Sequence, residues 1–460
     1  MADTNSIIAQ GLDLGKRGAF ADAEATFRRA IALEPENGRA HHALGLALHA
    51  LQRYGEAVEA HERAVALAPR VPEAHHEFGR ALLRLNRAAE AAEAAGRAVQ
   101  LDPARPEPHG LLARALLVSG DFKRGWAEYE WRWKCAGMDP RRAMSVPQWT
   151  GGEKVAGRTI LLHHEQGFGD TIQFSRYAPL IAQRGADVIV QVPRNLTGLM
   201  KRLPGGPDVI STDDPTPAGV HLHAPLMSLP LAFNTTLRSI PATVPYLSAA
   251  PQAAAVWSGR VKEAETLLPA ASAPSSAPSR AATGAPALRV GIAWAGRPTH
   301  ADDRLRSIPL AALAPLSAAA AGAAFYSLQK GAAAAEARTP PAGMRLIDFS
   351  DRLFDFSDAA ALIANLDLVI TVDTAVAHLA GAMGRRVWVL LPFSPDFRWL
   401  LDRPDSPWYP TMRLFRQPAQ GQWRPAIEAV ATELRTAATA ALAAAATAAA
   451  APASDAPSVP

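Results

Sequence analysis

The sequence predicts an α + α/β chain in which an N-terminal stack of paired helices leads into two doubly wound α/β halves. Two observations point there. Residues 1–137 echo themselves at a fixed interval of 34, and after residue 150 short apolar runs alternate with helical patterns, once before a Pro/Ala/Ser-rich stretch and once after it.

The echo is visible in several registers. Pro35, Pro69 and Pro103 recur at that interval, as do Leu33, Leu67 and Leu101, then Ala30, Ala64 and Ala98. Gly45, Gly79 and Ala113 form another register, and Phe20, Tyr54, Ala88 and Phe122 a fifth. Small residues where two helices press together, with a proline closing each second helix, resemble tetratricopeptide repeats. Such a unit cannot bury its apolar face alone, so stacking builds the core and leaves a curved groove suited to holding a partner. Three units are clear. The fourth, 104–137, keeps Phe122 but has Arg132, Cys135 and Gly137 at marker positions and inserts Trp126, Tyr129, Trp131 and Trp133. It reads as a capping repeat whose aromatics pack the array onto the next domain.

Composition narrows the remaining classes. With 460 residues, 49% of them hydrophobic and 20% charged, the chain has room for about three ordinary domains and is globular in character. The net charge of +4 comes without a Lys/Arg run, so no nucleic-acid partner is expected. The single cysteine, Cys135, excludes an internal disulfide and weakens metal-cluster readings. Asp3, Asp13 and Lys16 interrupt the first 21 residues, so neither a signal peptide nor a transmembrane segment is expected there, and the expected location is cytoplasmic. The Ala-rich stretch from Thr436 to Ala451 reads as a frayed helix leading into a disordered tail, 436–460.

In the first α/β half, 150–268, strands are expected at Thr159–His163 and Asp187–Val192, with helices over Thr171–Gln183 and Pro193–Leu203. A helix around Ala253–Leu268 precedes a linker at 269–287. The second half, 288–435, opens with a strand at Arg289–Trp294 and continues through a helix near Pro309–Ala320. Strands at Ala324–Leu328, Leu368–Thr371 and Val387–Leu391 follow, and a helix at Trp423–Leu434 closes it. Both halves are Rossmann-like, and ligands in such sheets sit outside the carboxyl ends of the strands.

That rule selects four loops. The first, His163–Asp170, carries Gly167 and Gly169, which let backbone approach a ligand, and Asp170 at the start of a helix, where a carboxylate serves either as a cap or as a base. Adjacent His163 and His164 point to opposite sides of a strand and so cannot ligate one metal together. The second, Gly296 through Ser307, offers Arg297, Arg304 and Arg306 for forked hydrogen bonds to phosphate. The third places Lys330 at a strand end. In the fourth, Asp373 and Thr374 open a helix whose N-terminus suits a diphosphate, with His378 one turn on.

Gly169–Asp170, Gly296 with its basic loop, and Asp373-Thr374-x-x-x-His378-Leu379 together resemble the family 9, heptosyltransferase-like glycosyltransferases, a two-Rossmann GT-B fold, over about residues 155–435. The resemblance implies a general base at Asp170, a donor motif at Asp373, Thr374 and His378, and phosphate contacts from Arg304 or Arg306. Ala375, Val376 and Ala377 replace the Gly and Ser usual between that Thr and His, so no heptose donor is implied. Joined to the repeats, the chain resembles bacterial tetratricopeptide–glycosyltransferase proteins and, in domain order, the protein O-linked N-acetylglucosamine transferases.

The expectation is therefore a metal-independent, inverting glycosyltransferase with no cofactor beyond its co-substrate, a nucleotide-diphosphate sugar. The acceptor, protein or glycan, would be presented by the repeat groove. Asp170 would act as base, with Gly167, Gly169, Gly296, Arg304, Arg306, Lys330, Asp373, Thr374 and His378 binding substrate. The repeats are expected to be separable from the catalytic half near Val146. The rival expectation is a non-catalytic interaction scaffold with a vestigial nucleotide-binding domain.

Overall fold

The computed structural model describes residues 3–137, 142–268, 286, 288–320 and 322–450, with side chains to 444. The expected linker, 269–287, lies outside the described residues apart from Pro286, as does the tail beyond Ala450.

Four antiparallel helix pairs form the N-terminal array: α1 (Thr4–Lys16) with α2 (Phe20–Leu33), α3 (Gly38–Ala50) with α4 (Tyr54–Leu67), α5 (Pro72–Arg84) with α6 (Ala88–Leu101), and α7 (Pro106–Ser119) with α8 (Phe122–Tyr129). The interval of 34 has a steric cause. A Cβ on Gly11 would overlap the Phe27 ring, one on Gly45 the His61 ring, and one on Gly79 would press the Ala91 carbonyl oxygen at 3.1 Å. Ala30, Ala64 and Ala98 are fully buried, whereas Leu33 is exposed and Leu67 and Leu101 are half-buried, so the leucine register is not core. A sixth register went unread in the sequence. His41, His75 and His109 each turn Nε2 to the carbonyl oxygen of Pro35, Pro69 or Pro103, at 2.9, 3.0 and 3.1 Å. A carbonyl can only accept, so each ring carries a proton on Nε2, and the bond staples the closing proline of one unit to the opening helix of the next.

The first α/β half contains a four-stranded sheet in the order β3-β2-β1-β4, all parallel: β1 (Thr159–His163), β2 (Asp187–Val192), β3 (Asp208–Ser211) and β4 (Leu222–Pro225). Its helices are α9 (Phe168–Phe174), α10 (Ala178–Ala182), α11 (Arg194–Met200), α12 (Leu229–Ala232) and α13 (Pro251–Thr266). The second half holds a six-stranded parallel sheet, β10-β9-β8-β5-β6-β7: β5 (Leu288–Ala293), β6 (Ala323–Ser327), β7 (Leu346–Asp348), β8 (Leu368–Val372), β9 (Val387–Leu391) and β10 (Met412–Arg416). With it go α14 (Asp303–Arg306), α15 (Ala314–Ala319), α16 (Phe356–Ile363), α17 (Ala375–Ala382) and α18 (Trp423–Ala450). Strands β8 and β9 are apolar almost throughout because both sheet faces are covered. Leu368, Ile370 and Val372 pack with α18 residues such as Val430 and Leu434, while Val369, Val387 and Val389 join the core containing Leu362 and Leu379. The helix expected to stop at Leu434 continues without a break to Ala450.

Each sheet has one topological switch point. In the first, β1 leads to β2 and β3 on one side and β4 lies on the other; in the second, β5 leads to β6 and β7 before the chain crosses to β8. The switch crevices are therefore bounded by the loops after β1 and β4 and by those after β5 and β8. The helical array is followed by α/β architecture of the GT-B kind.

The array packs against both α/β halves. Trp126 is fully buried, its ring edge-on to Phe174 of the first half and Phe397 of the second, 5.8 and 5.6 Å between centroids. Arg132, in the turn after α8, forks to Glu165 at 2.8 and 2.9 Å, and both side chains are buried. Burial works against the charge on Arg132, but Glu165 outweighs it and holds the guanidinium pKa above its ordinary value. The end of α5 binds the second half directly: Arg84 pairs with Asp302 at 2.7 Å, Asn86 donates to the Phe393 carbonyl at 2.6 Å, and Ser394 Oγ donates to the Leu83 carbonyl at 3.2 Å. A cut near Val146, where the repeats were expected to be separable, would open this shared core. The aromatic insertion of the fourth unit does what the sequence suggested. Trp126 and Tyr129 reach the next domain, while Trp131 stacks on His109 at 3.7 Å within the array.

Candidate active site

The loops at the two switch points meet. Gly167 N-caps α9, and Thr374 N-caps α17, its Oγ1 accepting from the Val376 N–H at 3.3 Å. The two helices pack so closely that a Cβ on Gly169 would stand 2.8 Å from His378 Cδ2 and 3.6 Å from Ala375 Cα. Gly169 is therefore required by the approach of α17, and Asp170 follows it directly in the chain. Gly296 is likewise occupied by protein. The space a side chain would need there is filled by the Asp303 carboxylate and the Arg306 guanidinium, and its N–H donates to Ser307 Oγ at 2.8 Å.

Asp170 is not a free carboxylate. Oδ2 accepts the Gly167 N–H at 2.8 Å and Oδ1 pairs with Arg398 Nη2. Arg398 also donates to Asp396 Oδ1 at 2.6 Å, lies over the Phe397 ring at 4.4 Å, and is buried. Burial opposes its charge, but Asp170 and Asp396 raise its pKa above the ordinary value. The expected cap and the expected base coincide, since one oxygen caps α9 and the other is held by a guanidinium.

On the donor side, Asp373 is buried. Desolvation, reinforced by the Asp396 carboxylate, raises its pKa, while Arg306 works in the opposite direction. Arg306 lies 3.4 Å from Asp303 and is largely enclosed; Arg304, on the same short helix, is exposed. Lys330 follows β6 at the carboxyl edge, and its amine donates to the Ser350 carbonyl at 2.7 Å. Thr374 bonds Thr371 through the two hydroxyls at 3.2 Å.

His378 differs most from expectation. Its Nδ1 bonds the Tyr409 hydroxyl at 3.0 Å, its ring stacks on Trp399 at 5.3 Å, and it is buried. Burial first, and then the positive Arg398 and Arg176, push its pKa well below 6.5, so the ring is neutral. Nδ1 is thus tied to Tyr409, and the ring packs in the core.

Sequence reading missed the segment between β9 and β10. Asp396, Arg398 and Trp399 enter the site from it, and Trp408 and Tyr409 lock the halves together. Arg176, after α9, donates to the Trp408 carbonyl at 2.8 Å and to the Tyr246 hydroxyl at 3.1 Å, with its guanidinium over the Tyr409 ring at 4.6 Å. The signal available was the run Phe397-Arg398-Trp399 and, further on, Trp408-Tyr409 between Ser/Pro residues, an aromatic density unusual in a solvated loop. His163 and His164 do diverge: His163 bonds His223 at 3.1 Å and His164 bonds Thr171 at 2.6 Å. No helix among the described residues is long and apolar enough to cross a membrane.

Residues 8–72 and 48–114 match the tetratricopeptide repeat, and residues 352–394 match Glycosyltransferase family 9 (heptosyltransferase). The chain is also similar to Protein FlbA of Caulobacter vibrioides (strain ATCC 19089 / CIP 103742 / CB 15), at 27% identity over 344 residues, 69% of this chain and 53% of FlbA. It thus spans about half the length of that curated relative. Among solved structures, the MamA RS-1 ArsTM double mutant is similar at 25% identity, covering 28% of this chain and 72% of that one with a TM-score of 0.27. YrrB, a TPR protein with an unusual peptide-binding site, is similar at 19% identity, covering 29% and 68%, with a TM-score of 0.27. The glycosyltransferase match takes in α16, β8, α17 and β9, and so contains Asp373, Thr374 and His378. The chain carries tetratricopeptide repeats at its N-terminus and a glycosyltransferase-like region toward its C-terminus.

Proposed function

We propose that the chain is a glycosyltransferase that moves a sugar from a nucleotide-diphosphate donor to a hydroxyl of an acceptor, with inversion, in the cytoplasm. The acceptor oxygen forms a bond to the anomeric carbon as the bond from that carbon to the diphosphate breaks. The electron pair leaves on the diphosphate and the hydroxyl proton passes to Asp170. General-base assistance and electrostatic stabilisation of the leaving group then supply the catalysis, without a metal. The diphosphate would lie at the N-terminus of α17 beside Thr374, with Arg306 as its enclosed cation and Arg304 and Lys330 further out along the same edge. Gly167, Gly169 and Gly296 would act by letting these loops close on one another.

One observation carries this reading. The switch-point elements of the two sheets pack together, Gly169 of α9 against Ala375 and His378 of α17, and Asp170 is the next residue after that contact with the helix inside the family 9 match. The repeats, bonded through Arg84 and Asn86 to the loops after β5 and β9, would present a protein or glycan acceptor at the same edge.

The scaffold reading has its own support, because Asp170 is paired and His378 is locked into the core. A thermal-shift screen of nucleotide-diphosphate sugars separates the two. A ligand that binds only the folded state raises the melting temperature with concentration. Such a rise, followed by transfer or slow hydrolysis of the donor, supports the enzyme; no rise with any donor favours the scaffold.

A further inference from the structure

Arg398 occupies an unusual position. It enters from the segment after β9, beyond the family 9 match, yet its guanidinium crosses to the other half and holds Asp170. Its second anchor, Asp396, comes from its own segment. Its Nε is buried and has no hydrogen-bond partner among the described residues, so one donor of the fork is unused. A buried, unmade hydrogen bond of a charged group is costly unless a partner arrives in the working state. The neighbours indicate which partner. Trp399, the next residue, stacks on the His378 ring, so the segment that carries Arg398 packs against α17, and the guanidinium acts electrostatically on both His378 and Asp373.

We propose that Arg398 is a binding residue for the donor's diphosphate, and that in binding it the guanidinium lets go of Asp170. The inference rests on the glycosyltransferase reading and adds an order of events to it. While Arg398 holds Oδ1 and Gly167 holds Oδ2, each carboxylate oxygen already accepts one hydrogen bond, so an acceptor hydroxyl must share an oxygen with one of these donors. A diphosphate at the first turn of α17 offers the guanidinium more charge than one carboxylate does, and it can accept a forked pair of bonds. With Nη1 still held by Asp396, a rotation about that bond carries Nη2 from Asp170 toward the phosphate. Oδ1 is then unshared when the donor is in place and shared with the guanidinium when it is not, which favours proton abstraction once the donor has arrived. Arg398 is thus a positioning residue for Asp170 and a direct ligand of the leaving group.

The test is calorimetric titration of the full chain with inorganic pyrophosphate and with uridine, guanosine and adenosine diphosphates, using wild type, Asp170→Asn, Arg398→Lys and Arg398→Ala. If Arg398 must leave Asp170 to bind, removing the carboxylate's charge removes the competitor. Asp170→Asn should then bind the diphosphate about 3- to 10-fold tighter than wild type, whereas Arg398→Ala should bind roughly 10- to 100-fold weaker, with Arg398→Lys between them. A purely structural strut predicts something different: both substitutions would lower the melting temperature and neither would tighten binding. Weaker or unchanged binding by a folded Asp170→Asn overturns the exchange of partners while leaving the donor site standing. Absence of binding by wild type to every one of these probes overturns the donor-site reading itself, and the exchange with it. Should Arg398→Ala fail to fold, the ordering of Asp170→Asn, wild type and Arg398→Lys still decides.

Discussion

At the scale of single residues, the structure gives partners to what the sequence could only nominate. Residue type and spacing located Asp170, Asp373 and Thr374 at the carboxyl edges, because strand ends and helix starts are legible from apolar runs. They could not reveal partners that arrive from distant segments: Arg398 is 228 residues from Asp170, and Tyr409 is 31 from His378. For His378→Ala we expect a stability loss on the order of 1–3 kcal/mol, since the Tyr409 hydroxyl is left unpaired in the core. Unchanged chemical denaturation with weakened nucleotide binding would return His378 to the ligand. The buried histidines also give the molecule an acid limit. Burial holds His49, His61 and His163 at about 3 and His76 at about 4. Below an unfolded value near 6.5 the unfolded chain therefore binds more protons than the folded one. Their contribution is complete above that pH and falls as pH drops toward 4, by about 1.4 kcal/mol per pH unit for each fully buried ring. Glu77, Glu165 and Asp373, raised by burial, act in the opposite sense, but over the same window the histidines outnumber them. Denaturant midpoints should fall steeply from pH 7 to pH 5; a flat profile would contradict the neutral-histidine assignment.

At the scale of elements, β1, β2 and β9 appear where their apolar runs place them, since a strand covered on both faces has a continuous signature. Short strands such as β3 and β7 lack that signature and were not legible. The helices were legible as helices but not as contacts, and the packing of α9 on α17 is the clearest case. The glycines at 167 and 169 look in sequence like a ligand loop. In space, Gly169 is a helix-packing position, with Asp170 next to it in the chain. Gly169→Ala should therefore force the two helices apart, costing about 1–3 kcal/mol of stability and lowering nucleotide affinity together with it. A circular-dichroism melt paired with a nucleotide titration measures both. Loss of binding at full stability would instead restore Gly169 to direct ligand approach.

At the scale of the whole molecule, the interval of 34 announced the array and strand-helix alternation announced the two halves, but the ion pair at the joint between them was not legible. Sequence markers fade at Arg132–Gly137, which looked like a boundary; in fact Arg132 is where the array is bolted to Glu165. Removing one partner of such a buried pair leaves an uncompensated charge worth about 3–5 kcal/mol. Truncation of residues 1–146 does this and also strips Trp126 and Tyr129 from Phe174 and Phe397. The truncated chain should lack a cooperative thermal transition, and a sharp transition with retained nucleotide binding would show that the halves stand alone. The role proposed for Asp170, next in the chain to the contact of α9 with α17, is that of the base in a glycosyl transfer. Its most direct test is single-turnover transfer by wild type and Asp170→Asn with whichever donor the thermal-shift screen returns. We predict a loss of roughly 10²–10⁴ in rate with nucleotide binding retained; undiminished transfer by Asp170→Asn would contradict the claim.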